Sequence, residues 1–158
     1  MADTLPVKVS VADGKLAPLL QDEETRREWV DRLKDALGTE SEDLAWYGVA
    51  TLFKSCQVPE TLKLNAMIEQ IRGGCPRDPQ EMVLLIQMAA VAQRMQEAIA
   101  SEVSATSLED RQTYATVVRT YGKLYARQLE ALRKYRRDGN QTITVVHAEN
   151  AVVGVNAR

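Results

Sequence analysis

Arg119, Lys123 and Arg127 recur at four-residue spacing, and Arg133, Lys134, Arg136 and Arg137 follow within the next turns. On a helix the first three share one flank, and the last four crowd its C-terminal end. A row of guanidinium and ammonium groups suits one kind of chemistry, the non-covalent neutralisation of phosphates along a nucleic-acid backbone. The dipole of a helix C-terminus also favours cations, and solvent-facing helix surface carries Lys and Arg in any protein, so the row by itself does not require a nucleic acid.

Charge is unevenly distributed around this row. From Gln21 to Gly73 eleven acids stand against seven bases, whereas from Thr106 to Arg137 eight bases stand against three acids, within a chain of formal charge -2. The asymmetry leaves room for a phosphate-binding surface on an acidic protein.

Catalytic constellations are missing by residue type. His147 is the only histidine, so neither a histidine-based metal cluster nor a Ser-His-Asp arrangement with a spare ligand is expected within one chain. Gly73-Gly74 and Gly139-Asn140 read as helix stops, because neither belongs to a GxxxxGK[ST] or GxGxxG pattern. Acid pairs such as Glu23-Glu24 and Glu42-Asp43 sit in first helical turns, where negative charge is expected. The reading is of a protein that is not an enzyme and takes no cofactor or metal.

A long helix from Leu108 must position the cations. One apolar stripe on it is Ala115, Val118, Gly122, Tyr125, Leu129 and Leu132; a second is Tyr114, Val117, Tyr121, Leu124, Ala131 and Tyr135, interrupted by Gln128. Both follow 3- and 4-residue steps, giving a wider apolar surface than one neighbour needs. One face is expected within the protomer and the other, through Tyr114, Val117, Tyr121 and Leu124, against a second chain; a central helix of a larger bundle would show the same breadth.

Asp138, Gly139 and Asn140 stop this helix, and the period then changes. Ile143, Val145 and His147 alternate with Thr142, Thr144 and Val146, and Ala151 to Val155, including Val152 and Val153, offers a second strand-like run. A lone two-stranded unit is marginal in water, so these residues need a partner. The candidates are the alternating Val7, Val9 and Val11 near the N-terminus, or the same tail of another subunit.

Four shorter elements precede the long helix. Asp13-Gly14 and Pro18 bound an N-terminal arm holding the Val7 strand. Asp22 is the expected cap of a helix carrying Trp29, Val30, Leu33 and Leu37 and stopped by Gly38. Thr39 with Glu42 reads as a capping box for the next, with Leu44, Val49, Leu52 and Phe53 inward. Pro59 suits the first turn of a third helix with Leu62, Ala66, Met67 and Ile71 inward. Asp78-Pro79 opens a fourth, where Met82, Leu85, Met88, Ala92, Met95 and Ile99 recur, and Thr106 with Glu109 caps the fifth. The short link makes the last two an expected antiparallel helical hairpin.

Composition agrees with a mainly α fold. With 45% hydrophobic residues, 5% aromatics and a single Phe in 158 residues, the core must rest on Leu, Val, Ile, Met and Ala, as in helical bundles. No run of about 18 apolar residues and no basic-then-apolar leader pattern is seen, so a cytoplasmic protein without membrane contact is expected. Cys56 and Cys75 lack CxxC spacing and read as reduced thiols, one on a helix face and one in a loop. The expected organisation is an arm over 1–20, a helical region over 21–74, the hairpin over 78–138 and a β tail over 139–158.

Three segments carry a resemblance: Glu81-Met82 with Ile86-Gln87-Met88-Ala89-Ala90-Val91; Tyr125-Ala126-Arg127-Gln128-Leu129-Glu130-Ala131-Leu132-Arg133-Lys134-Tyr135-Arg136; and Gln141-Thr142-Ile143-Thr144-Val145. Together they resemble a widespread family of short proteobacterial proteins associated with prophages and mobile elements, over roughly Ala50 to Gly154. Ala151-Val152-Val153-Gly154 matches the family's last strand, while the Gly-Gly-Gln turn that usually precedes it is absent. The resemblance implies no particular activity.

The layout is also similar to that of phage small terminase subunits, whose helical hairpins assemble into rings and whose C-terminal strands can close a barrel. Against it, the N-terminal helices are acidic and no recognition helix stands out between Leu44 and Ile71. In its favour, a ring would partner both the wide helix face and every tail strand. The expectation is therefore a homo-oligomeric, helical phage-type protein with a C-terminal β element, binding double-stranded DNA and presenting it to a large terminase or other motor. Two alternatives belong to other classes: a structural or adaptor protein of a virion or mobile element that binds only protein, and a dimeric DNA-binding regulator.

Overall fold

The computed structural model describes residues 6–20, 25–56 and 60–138. A two-stranded antiparallel sheet, β1 (Val9–Ala12) and β2 (Lys15–Pro18), precedes five helices: α1 (Arg26–Leu37), α2 (Glu42–Ser55), α3 (Thr61–Gly73), α4 (Pro79–Ser104) and α5 (Leu108–Asp138). The mainly helical reading holds. The expected tail strands, with Gly139, Ile143, Val145, His147, Val152 and Val153, lie outside the described residues.

The arm is built differently from expectation. Val9 pairs with Pro18 and Ala12 with Lys15, so β1 finds its partner just across the turn, in an element the alternation did not signal. Asp13 and Gly14 make the two-residue turn, both with positive φ, 51° and 68°, the backbone hand that matches strand twist. The other edge of β1 is closed by α3. Val9 N–H donates to Asn65 Oδ1 at 2.7 Å, Asn65 Nδ2 returns a bond to the Val9 carbonyl at 3.1 Å, and Val11 N–H donates to Thr61 Oγ1 at 2.9 Å. Asn65 thus serves β1 as a neighbouring strand would.

The helix starts differ by a few residues from those expected. Thr25, not Asp22, caps α1 in a reciprocal capping box with Glu28. Thr39 does not cap α2, because its own N–H is still bonded to the Lys34 carbonyl, finishing the α1 end at left-handed Gly38; Ser41 caps α2 instead. Pro59 lies outside the described residues, and α3 begins after Glu60. Ser107 and Asp110 share the cap of α5, in place of Thr106 and Glu109. Asp78 does cap α4, accepting from the N–H groups of Gln80 and Glu81 ahead of Pro79 in the first turn.

One core joins β1 to the helices. Trp29 is fully buried 5.2 Å from Trp46 ring to ring, and its indole N–H donates to the Lys8 carbonyl. Val7 and Val9 from the arm, Leu33 and Leu37 from α1, Val49 and Leu52 from α2, and Met82, Leu85 and Ile86 from α4 belong to the same cluster. In α3 the inward residues are Leu64, Met67, Ile68 and Ile71. Leu62 is 79% exposed and Ala66 is exposed, because turning Thr61 and Asn65 towards β1 rotates that stripe outward. The Cys56 thiol, just past the end of α2, is buried and Cys75 is exposed in the loop before α4; both are free.

Candidate nucleic-acid interface on α5

α5 packs chiefly on α4, from a link at Ala105–Ser107 back to the start of α4, where Arg136 meets Glu81. Its inner stripe is the first of the two read from sequence. Leu132 is buried, Tyr125 and Leu129 pack on the core, and Gly122 leaves only 3.9 Å between a hypothetical Cβ and Met95 Sδ. The same 3- and 4-residue steps, continued from Leu129 through Leu132, arrive at Arg136.

Arg136 is therefore set apart from the other cations. Its Nε and Nη2 donate to the two carboxylate oxygens of Glu81 at 3.1 and 2.8 Å, and Nη2 also reaches the carbonyls of Gly74 and Cys75 at 2.6 and 3.2 Å. Glu81 is 1% exposed and accepts a further bond from the Arg77 N–H. The Arg136 guanidinium holds the Glu81 carboxyl below its ordinary range against the opposing effect of burial, and Glu81 in turn raises Arg136. Beside this pair, the Tyr135 hydroxyl donates to Asp78 Oδ2 at 3.1 Å. Sequence reasoning placed Arg136 among phosphate contacts and missed Glu81; extending the inner stripe by one step was the available signal.

The remaining cations occupy the side of α5 away from α4. Arg119, Lys123, Arg127, Arg133, Lys134 and Arg137 are all exposed. Arg119, Lys123, Arg127, Arg133 and Lys134 form no ion pair with another described residue. Elsewhere four cations are matched within their own helix or its cap: Lys34 with Asp31 at 2.7 Å, Lys63 with Glu60 at 2.9 Å, Arg72 with Glu69 at 2.7 Å and Arg94 with Glu97 at 3.5 Å. The row on α5 thus has charge free for an external anion, with only Glu130 interrupting it.

A third face carries the second apolar stripe. Tyr114, Val117 and Tyr121 are half-buried, while Leu124 is 41% and Tyr135 46% exposed. Gln128, the polar member of this stripe, keeps Oε1 buried without a hydrogen-bond partner.

No family model, curated protein or solved structure matches the chain. Among the described residues, no group of three or more His, Cys, Asp or Glu is placed to hold a metal ion, and no helix is long and apolar enough to cross a membrane. The arrangement on α5 can bind an extended anion electrostatically.

Proposed function

We propose that the protein is a homo-oligomeric phage-type DNA-binding protein similar in role to small terminase subunits, holding double-stranded DNA without chemistry and presenting it to a motor. In this reading the helical hairpin of α4 and α5 is the assembly element and the outer row of α5 is the phosphate contact. The observation that carries it is the row itself: five exposed cations with no acid partner among the described residues, along one helix of an acidic protein. Copies of the row on an oligomer would multiply weak phosphate contacts into useful affinity.

Titrating a labelled DNA duplex with the full chain and with Arg119→Gln/Lys123→Gln/Arg127→Gln tests this, with native mass measured on both. Binding that is lost in the variant at unchanged mass supports the reading. A full chain that ignores duplex DNA at low salt overturns it in favour of a structural or adaptor protein.

A further inference from the structure

The second apolar face of α5 is self-complementary when read in opposite directions. We propose that it packs on the same face of a second copy of this chain, with the two α5 helices antiparallel and crossing at Leu124. The inference rests on the self-association in the reading above and names the contact that makes it.

The protomer covers this face only in part. Leu124, Ala131 and Tyr135 remain exposed, and beside them an open groove of about 340 Å³ runs along α4, lined by Val83, Leu84, Gln87, Ala131 and Tyr135. A neighbouring helix laid against α5 would enter that groove and complete a four-helix arrangement.

Charge selects the direction. From Gly122 to Arg137 six bases stand against one acid, whereas from Arg94 to Arg111, around the bend between α4 and α5, four acids stand against two bases. Parallel helices would place the two basic halves side by side. Antiparallel helices crossing at Leu124 keep those halves apart and bring Arg133 to Arg137 of each copy opposite residues 111–115 of the other, next to Glu109 and Asp110 of its acidic bend.

Side-chain chemistry fits the same register. Crossing at Leu124 sets Val117 opposite Ala131 and brings Tyr114 and Tyr121 within one residue of Tyr135 and Gln128 on the facing stripe. The Tyr121 hydroxyl of one copy then offers the donor that Gln128 Oε1 of the other lacks, once that amide turns outward. A polar residue inside an apolar stripe is the kind of feature that fixes direction and register between paired helices.

Oxidative cross-linking of the full chain tests the geometry, in a Cys75→Ser background that removes the exposed native thiol. Leu124→Cys is expected to cross-link to itself, Tyr114→Cys and Tyr135→Cys to cross-link only when the two variants are mixed, and light scattering to give an even multiple of 17.6 kDa. Leu124→Glu should reduce the mass to one chain with its helical circular dichroism kept, since Leu124 already meets solvent. A monomeric full chain, an unchanged mass for Leu124→Glu, or Tyr114→Cys bonding to itself would each overturn the inference. Self-bonding of Tyr114→Cys within an oligomer would leave self-association standing and dismiss only the antiparallel contact, and duplex binding is scored separately from both.

Discussion

Arg136 and Glu81, 55 residues apart in sequence, form a two-pronged ion pair that fastens the last turns of α5 to the start of α4. Glu81 lies in the core region at 1% exposure, while the Arg136 side chain keeps 29%. Removing one partner leaves the other charged and poorly solvated. Arg136→Ala is expected to lower stability by about 2–3 kcal/mol, less than for a wholly buried pair because solvent reaches the guanidinium. Urea unfolding measures it. Arg136→Met with Glu81→Met should recover much of the loss, and a double variant worse than Arg136→Ala would show that the pair does more than compensate its own burial.

The same pair predicts acid sensitivity. Glu81 is held below its ordinary 4.5 chiefly by Arg136, and Asp78 below 3.8 chiefly by the N–H of Glu81. A carboxyl with a lower pKa in the folded state takes up protons more readily when unfolded. Its contribution is full above the unfolded value and disappears as pH falls through the folded one. Stability should therefore decline as pH falls below about 5, and the decline should be shallower in Glu81→Gln. Equal slopes for wild type and variant in urea midpoints across that range would assign the acid effect to other groups.

Asn65 supplies both a donor and an acceptor to Val9 on the unpaired edge of β1. Asn65→Leu is nearly equal in size and leaves both backbone groups of Val9 unmatched, at an expected cost of about 1–3 kcal/mol. Amide exchange at Val9 should accelerate in the variant while exchange within α4 keeps its protection. Val9 exchanging at the wild-type rate would mean that the edge finds other partners.

Two glycines with the same backbone hand separate strain from crowding. Gly38 has φ 65° and a Cβ there would lie 2.3 Å from the Pro76 carbonyl oxygen, whereas Gly14 has φ 68° and nothing within 4 Å. Gly14→Ala should cost only the left-handed penalty, about 1–2 kcal/mol. Gly38→Ala adds a backbone clash where the loop before α4 crosses the α1 end, so its thermal midpoint should fall clearly further. Equal losses would show that the loop gives way without penalty.

Local chemistry made much of the fold legible. Gly38 as a helix stop, Asp78-Pro79 as a helix start and both stripes of α5 follow from spacing and residue type alone. The caps at Thr25, Ser41 and Ser107 were misplaced by two or three residues or by one, because several Ser, Thr and Asp residues precede each helix and only hydrogen bonding selects among them. Asp13-Gly14 carried its turn signal plainly, yet Leu16 and Pro18 do not alternate like a strand, so the partner of β1 was overlooked. Periodicity showed two apolar stripes on α5, and the first is the one that meets α4; the α4 residues that seat it, Met95 against Gly122 among them, are not given by spacing along α5 alone. The Glu81–Arg136 pair spans the chain and left no local signature beyond the continuation of the inner stripe.

The division of the α5 cations into an inner Arg136 and an outer row predicts two kinds of loss. Each phosphate contact releases counterions and steepens the fall of log binding constant with log salt by about 0.9. Arg119→Gln/Lys123→Gln/Arg127→Gln should therefore flatten the slope by up to about 3 per engaged protomer while leaving urea stability nearly unchanged, because these side chains are exposed and pair with no described residue. Arg136→Ala should do the reverse, lowering stability with little change in slope. Duplex titrations at several salt concentrations, read beside unfolding curves for both variants, make the comparison. If Arg136→Ala flattens the slope as much as the triple variant does, the guanidinium leaves Glu81 for DNA, and the inner and outer assignments collapse into one surface.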